Sequence, residues 1–137
     1  MNECIDLKLD KATFLDWIQR QDRRYELVRG RVVMQQGGSL SHSRIAAKVI
    51  HLLQTQIDNA RWVVLTGDLA IDVGESLRFP DAMVISVPED GSVLSTDRPV
   101  VLVEVLSPSS VASDFRDKAD EYLSLDSLEA YLIVAQD

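Results

Sequence analysis

The run VVLVEVLS, Val100–Ser107, decides the fold class of this chain. Its apolar residues do not alternate with polar ones, which is typical of a central strand covered on both faces of a sheet. Glu104 stands in the middle of this run. Because an isolated buried carboxylate is costly or becomes protonated, Glu104 is expected near a cation or hydrogen-bond donors. An exposed strand end or a structural ion pair is the alternative.

Hydrophobic periodicity on either side of this run predicts an α/β fold with a mixed sheet flanked by helices. The predicted helices are Thr13–Arg20, Ser41–Ile57 and Ser110–Leu125. The other predicted strands are Tyr25–Val28, Arg31–Met34, Trp62–Leu65, Leu69–Val73, Ala82–Val87 and Ala130–Ala135. Arg29 and Gly30 are predicted to form a hairpin turn, so an N-terminal helix and β-hairpin precede the rest of the sheet.

Length and composition favour one domain, residues 1–137, since 46% of 137 residues are hydrophobic. No apolar run is long enough to span a membrane, and the acidic start MNECIDLKLD does not resemble a signal peptide. A cytoplasmic location is therefore expected. The single cysteine, Cys4, excludes an internal disulfide, and one cysteine with two histidines cannot form a closed zinc site.

The net charge of −8 argues against general nucleic-acid binding, which usually relies on an excess of Lys and Arg. The basic residues are nevertheless concentrated in one stretch of twelve positions. They are Arg20, Arg23, Arg24, Arg29 and Arg31. Two interpretations remain open: a solvated hairpin region, or a local patch that faces phosphates.

Asp81 is a second candidate carboxylate. Pro80 has no amide donor and so belongs at the beginning of a strand, which places Asp81 beside it at the strand's start. If this strand neighbours Val100–Ser107, Asp81 and Glu104 converge at one edge of the sheet. Two converging carboxylates repel each other unless a divalent ion lies between them, and oxygen ligands suit Mg²⁺ or Mn²⁺.

Lys118 lies inside the apolar stripe of the last predicted helix. At 100° per residue, four apolar or aromatic side chains project within about 60° of it. They are Val111, Phe115, Tyr122 and Leu125, whereas Arg116, Asp120 and Ser124 lie on the other side. A lysine aimed at the Glu104 site would stabilise developing negative charge. The alternative is a lysine stem whose ammonium reaches water or pairs with Asp114.

Glu26 and His42 are weaker candidates for the same site. Glu26 shares a strand face with Val28, so its carboxylate would point toward the sheet as a third acidic group. His42 lies on the core side of the first turn of its helix. For His42, a hydrogen-bonded histidine near the helix cap is the alternative interpretation.

Several of these motifs together resemble a known family. They are Tyr25–Gly30 (YELVRG), His42, Pro80–Asp81, Glu104–Ser109 (EVLSPS) and the spaced Asp114, Lys118 and Tyr122. This set resembles the Uma2-type family of bacterial proteins, which are classed as restriction endonucleases of the PD-(D/E)XK superfamily. The resemblance extends from about Tyr25 to Val134, and the EVLSPS segment with the spaced residues after it is its most specific part.

The resemblance implies a restriction-endonuclease-like αβββαβ core in which Asp81 and Glu104 bind the metal. The parent motif has its lysine two residues after the acidic residue, where this chain has Leu106, so the resemblance implies that Lys118 replaces it. Glu26 matches the family's N-terminal acidic position and His42 its helix histidine. Family members usually continue with further strands, so these are expected to be missing here or supplied by a partner chain.

The expected function is therefore Mg²⁺- or Mn²⁺-dependent hydrolysis of DNA phosphodiesters. Asp81 and Glu104 would hold the metal, and Lys118 would stabilise the transition state. The rival is a non-catalytic nuclease-fold scaffold or partner-binding module, which the acidic charge favours. A homodimer is also expected, because Ala130–Ala135 is an apolar edge strand and two arginine-rich hairpins would form one positive groove.

Overall fold

The computed structural model describes residues 3–35, 37–88, 90–107 and 112–136, and within them the chain forms ten strands and three helices. The strands are β1 Glu3–Lys8, β2 Tyr25–Val28, β3 Arg31–Met34, β4 Trp62–Thr66, β5 Ala70–Val73, β6 Ser76–Arg78, β7 Ala82–Ser86, β8 Ser95–Thr96, β9 Val101–Val105 and β10 Ala130–Val134. The helices are α1 Lys11–Ile18, α2 Leu40–Gln56 and α3 Ala112–Leu123. The predicted α/β class is confirmed.

The strands form two mixed sheets, where the sequence had suggested one. The first has the order β1-β3-β2-β6-β5-β8 and the second the order β10-β9-β7-β4. Each contains one parallel pair, β5 with β8 and β9 with β10. The chain passes from the first sheet to the second between β6 and β7, through Phe79, Pro80 and Asp81. This short connection therefore places Asp81 where the two sheets meet.

The hairpin turn between β2 and β3 has the backbone conformation expected of a tight turn. Arg29 and Gly30 both have positive φ, 51° and 82°. Two consecutive residues of this kind form a type I′ turn, whose twist matches that of the flanking strands. The Arg29 amide donates to Oγ of Ser76, which fixes the turn to the start of β6.

Helix α2 covers the second sheet and begins beside the candidate site. Ser39 caps it by accepting a hydrogen bond from the His42 amide at 3.1 Å, which sets His42 in the first turn. No residue of α2 is fully buried, and Leu52 is 47% exposed. No helix in the described part of the chain is both long and apolar enough to cross a membrane.

Strand β9 is covered on both faces, as its sequence predicted. Leu102 and Val103 are fully buried, and Glu104 and Val105 are each only 6% exposed. One hydrophobic cluster lies against α3 and includes residues of both sheets: Ile71, Val73, Met83, Ile85, Leu102 and Tyr122. A second cluster packs α1 on the first sheet: Phe14, Leu27, Val32, Ala70 and Leu77. These clusters hold the sheets and α3 in the arrangement that forms the candidate site.

The sequence did not predict three strands, β1, β6 and β8. Of the predicted helix Ser110–Leu125, the start at Ser110 and the stripe residue Val111 lie outside the described residues. The remaining predicted helices and strands are present, with ends displaced by at most two residues. Such displacements are usual, because terminal turns and strand ends have weak signals.

Candidate functional site

Asp81 holds the two backbone groups that flank Glu104 on the neighbouring strand. Its amide donates to the carbonyl of Val103 at 3.0 Å, and its Oδ2 accepts from the amide of Val105 at 2.6 Å. The ladder between β7 and β9 pairs Ala82 with Val103. Continuing that register by one residue sets Asp81 across from Glu104. The two predicted carboxylates therefore meet at the carboxyl end of β9.

Glu104 is a buried carboxylate with two partners on α3. Its Oε1 accepts a hydrogen bond from the Tyr122 hydroxyl at 3.1 Å and lies 3.5 Å from Nζ of Lys118. Burial raises the pKa of Glu104 to about 7, and the nearby charges of Glu26 and Asp81 act in the same direction. Lys118 and Tyr122 oppose this shift. Near neutral pH, both the protonated and the ionised form of Glu104 are therefore populated.

Lys118 points into the molecule toward Glu104, and only 16% of its side chain is exposed. Burial lowers its pKa, but the carboxylates of Glu104, Glu26 and Asp81 outweigh this effect and raise the pKa overall. Lys118 is therefore a stable cation. Its predicted alternative partner, Asp114, has a side chain outside the described residues. On the far side of α3, Arg116, Asp120 and Ser124 are exposed, as the helical spacing predicted.

His42 contacts the other side of Asp81. Its Nε2 lies 3.3 Å from Oδ1 of Asp81, and both side chains are mostly shielded. The loop before α2 passes close to the imidazole, because a Cβ on Gly38 would lie only 2.8 Å from Nδ1 of His42. Glycine at position 38 therefore leaves the space that the ring occupies beside Asp81.

Glu26 is almost completely buried, with 1% exposure, and both of its oxygens have partners. Oε2 accepts from the Phe79 amide at 2.7 Å, and Oε1 lies 3.4 Å from Nη1 of Arg78. Arg78 in turn donates from Nε and Nη2 to Oε1 of Glu121 at 2.8 and 2.5 Å. Although burial lowers the pKa of Arg78, Glu26 and Glu121 raise it more.

Arg78 and Glu121 were not among the residues predicted from the sequence. Glu121 carried a usable signal, because it lies three residues after Lys118 and so on the same side of α3. Arg78 had no such signal. It belongs to a strand of only three residues, which is too short for a periodic pattern, and all three residues are buried although two of them are polar.

The site contains more acidic than permanently basic groups. The carboxylates are Glu26, Asp81, Glu104 and Glu121, and the cations are Lys118 and Arg78. The described residues contain no group of three or more His, Cys, Asp or Glu that could hold a metal ion. Two carboxylates nevertheless fit Mg²⁺, which keeps several waters and often uses only one or two protein carboxylates with substrate phosphates.

The arginine-rich stretch does not form one uniform patch. Arg20 pairs with Asp16 at 2.8 Å, and Arg29 lies 3.5 Å from Asp117. Arg23 and Arg24 instead line an open pocket of about 300 Å³. The other residues of this pocket are Ile18, Gln19, Gln21, Asp22, Tyr25, Gly67, Asp68 and Phe79. The pocket contains none of the five predicted site residues, although Phe79 is only two residues from Asp81.

The architecture is that of a nuclease-type fold. It superposes with a TM-score of 0.70 on a crystal structure from Anabaena variabilis, described as "a putative nuclease belonging to DUF820". That match covers 86% of this chain and 72% of the other, at 16% sequence identity. At this identity the likeness concerns the fold, and it agrees with the predicted restriction-endonuclease-like core.

Residues 12–137 match the Uma2 family, described as "Putative restriction endonuclease". The chain belongs to this family, so the resemblance seen in the sequence is confirmed. Two relatives come from Synechocystis sp., "Uncharacterized protein sll1609" and "Uncharacterized protein slr1290". They are 26% and 31% identical, over 90% and 93% of this chain and 75% and 69% of their own lengths. Membership of this family supports the interpretation of the chain as a nuclease.

Proposed function

We propose that the chain is a metal-dependent DNA endonuclease in which Asp81 and Glu104 bind one Mg²⁺ or Mn²⁺ ion. The observation that carries this proposal is the position of Asp81, which bonds to Val103 and Val105 on either side of Glu104. Glu104 lies in β9 and Asp81 directly precedes the neighbouring strand β7, so the separation of the two carboxylates depends on backbone pairing. A rigid backbone frame is the support that a metal site requires.

The electrostatics of the site support a divalent cation. Burial raises the pKa of Glu104 to about 7, and the charges of Glu26 and Asp81, which act in the same direction, would attract an added positive charge. A proton supplies one such charge and a divalent ion supplies two. When bound, the metal would lower the pKa of a coordinated water and polarise the phosphate.

The other side chains have distinct proposed roles. Lys118 would stabilise negative charge that develops on the phosphate oxygens, because it is a buried cation beside Glu104. His42 would orient the Asp81 carboxylate through Oδ1. Glu26 supports the site without binding the metal, since one oxygen accepts from the Phe79 amide and the other faces Arg78.

A cleavage assay tests this function. Supercoiled plasmid is incubated with the protein in Mg²⁺, in Mn²⁺ or in EDTA, and nicked and linear products are measured. Cleavage should require metal. Glu104→Gln should lower the rate by at least about 100-fold, comparable to removing one group that stabilises transition-state charge. Asp120→Asn, a matched charge change on the exposed side of α3, should cleave like the wild type.

A different outcome would favour the rival function. If the protein is folded and binds Mn²⁺ but cleaves neither duplex nor single-stranded DNA, the nuclease fold serves here as a non-catalytic scaffold. This assay therefore separates the two functions directly.

A homodimer is part of the same proposal. In the described part of the chain β10 pairs only with β9, and on this edge strand Leu132 and Ile133 are 41% and 49% exposed. An exposed apolar edge strand is usually paired or shielded. Light scattering at tens of micromolar protein should give twice the monomer mass. A monomeric mass would contradict the dimer and leave the proposed chemistry intact.

A further inference from the structure

Arg78 joins three parts of the molecule that carry the candidate site. It lies in β6 of the first sheet and contacts Glu26 of β2 and Glu121 of α3. We propose that Arg78 and Glu121 are positioning residues, which clamp α3 so that Lys118 and Tyr122 remain against Glu104. The effect of these two residues on catalysis rests on the proposed function. Their effect on the position of α3 can be measured without metal or DNA.

The clamp acts from one sheet on a contact made in the other. Arg78 belongs to the first sheet and Glu104 to the second. Helix α3 contacts the first through Glu121 and the second through Tyr122. Glu121 lies between Lys118 and Tyr122 on the inner side of α3. Fixing Glu121 therefore restricts the rotation and translation of the helical turn that carries both partners of Glu104.

The contact between Arg78 and Glu121 is short and shielded from water. Arg78 uses two nitrogens on one Glu121 oxygen, at 2.8 and 2.5 Å, and the two side chains are 7% and 15% exposed. Hydrogen bonds between charged groups are about twice as strong as neutral ones, and shielding from water preserves their strength. The Arg78 side chain cannot escape to solvent, because its other side faces buried Glu26.

The same arginine also supports the Asp81 side of the site. Glu26 faces Arg78 with Oε1 and holds the Phe79 amide with Oε2, and Phe79 is two residues before Asp81. Arg78 thus compensates the charge of the carboxylate that anchors the connection between the sheets. Removing Arg78 would leave two acidic groups poorly compensated in a buried environment, so Glu121 is the better position for a test.

A second ion pair on α3 provides a matched control. Arg29 and Asp117 are 3.5 Å apart, but their side chains are 64% and 46% exposed. Exposed pairs of this kind contribute little. Asp117→Ala therefore removes a carboxylate and an ion pair from the same helix without disturbing the proposed clamp.

The experiment measures how fast acetic anhydride acetylates Lys118, read by mass spectrometry of the peptide, together with hydrogen exchange of the α3 amides. Shielded Lys118 should react slowly in the wild type. Glu121→Ala should increase its rate by about tenfold or more, since losing a charged hydrogen bond favours local opening. Glu121→Gln keeps an acceptor for Arg78 and should give a smaller increase, whereas Asp117→Ala should remain within about twofold of the wild type.

The outcomes separate the clamp from the nuclease function. Equal Lys118 reactivity in Glu121→Ala and Asp117→Ala, with both proteins folded, would overturn the clamp whether or not the protein cleaves DNA. If cleavage is observed, Glu121→Ala should lower kcat while the KM for DNA and the affinity for Mn²⁺ stay near wild-type values. A lower affinity for Mn²⁺ with unchanged kcat would overturn the assignment, because the clamp acts on Lys118 and Tyr122 rather than on the metal ligands.

Discussion

The ammonium nitrogen of Lys118 lies 3.5 Å from Oε1 of Glu104, and both side chains are largely shielded from water. Tyr122, one helical turn further along α3, donates to the same oxygen. One face of one helix thus supplies two partners of the buried carboxylate.

The ion pair of Lys118 and Glu104 should show strong energetic coupling. Lys118→Met should lower the free energy of unfolding by about 1–3 kcal/mol at neutral pH, because it leaves a buried carboxyl group without its cation. This loss of stability is limited, since Glu104 can take up a proton. In the double variant Lys118→Met/Glu104→Gln, most of this decrease in the free energy of unfolding should be absent.

Urea denaturation of the two single variants and the double variant measures this coupling. The exposed pair of Arg20 and Asp16 serves as the control, and its coupling should be no more than about 0.5 kcal/mol. Additive effects for Lys118 and Glu104 would contradict the contact.

The stability of the metal-free protein should fall as pH rises from about 4.5 to about 7. The pKa of Glu104 is raised from 4.5 to about 7, chiefly by burial, so in this range the folded state binds its proton more tightly than the unfolded state. This contribution is complete below the unfolded pKa and is lost as pH rises through the folded pKa, by up to about 3 kcal/mol. The Glu104→Gln variant should lack this fall in stability between pH 4.5 and pH 7. Urea denaturation in EDTA tests this, and parallel pH profiles for the two proteins would refute the shift.

The space beside His42 should depend on Gly38 and not on its neighbour Gly37. A Cβ at position 38 would lie 2.8 Å from Nδ1 of His42, whereas one at position 37 would have nothing within 4 Å. Gly38→Ala should therefore shift the His42 imidazole signals in NMR spectra, and Gly37→Ala should not. The exposed His51 serves as an internal reference. Identical His42 signals in both variants would contradict the position of the ring.

Gly67 should be required where the turn after β4 approaches the segment before Asp81. A Cβ at Gly67 would lie 2.7 Å from the Pro80 carbonyl oxygen, which is a backbone atom that cannot easily move. Gly67→Ala should therefore destabilise the protein by about 1–3 kcal/mol. Gly91 has open space around it, so Gly91→Ala should have little effect. Thermal or urea unfolding distinguishes the two, and equal stability would show that the turn can move away.

The sequence was sufficient to predict the helices. It also predicted strands that have continuous apolar runs or clear turns, such as β9 and the hairpin of β2 and β3. It was insufficient for β6 and β8, which have three and two residues and no periodicity. The division into two sheets also escaped prediction. Strand order depends on contacts between residues far apart in the chain, and local patterns do not contain that information.

For the site, helical spacing alone indicated that Lys118 points inward, and the structure places it beside Glu104. The catalytic and metal-binding roles of Asp81, Glu104, Lys118, Glu26 and His42 remain predictions. The partners of Glu26 could not be predicted, because its contacts with Arg78 and the Phe79 amide exist only once β2 and β6 have paired. Ion pairs between distant elements leave no spacing in the sequence.

Calorimetric titration with Mn²⁺, at a pH above the Glu104 pKa, tests the central claim most directly. The wild type and the control Asp120→Asn should bind one ion with equal affinity. Asp81→Asn, which keeps the size of the side chain, should weaken binding at least tenfold, because even a residue that only supports a ligand commonly contributes about 10–100-fold. Equal Mn²⁺ binding by Asp81→Asn and the wild type would contradict a metal site at Asp81 and Glu104.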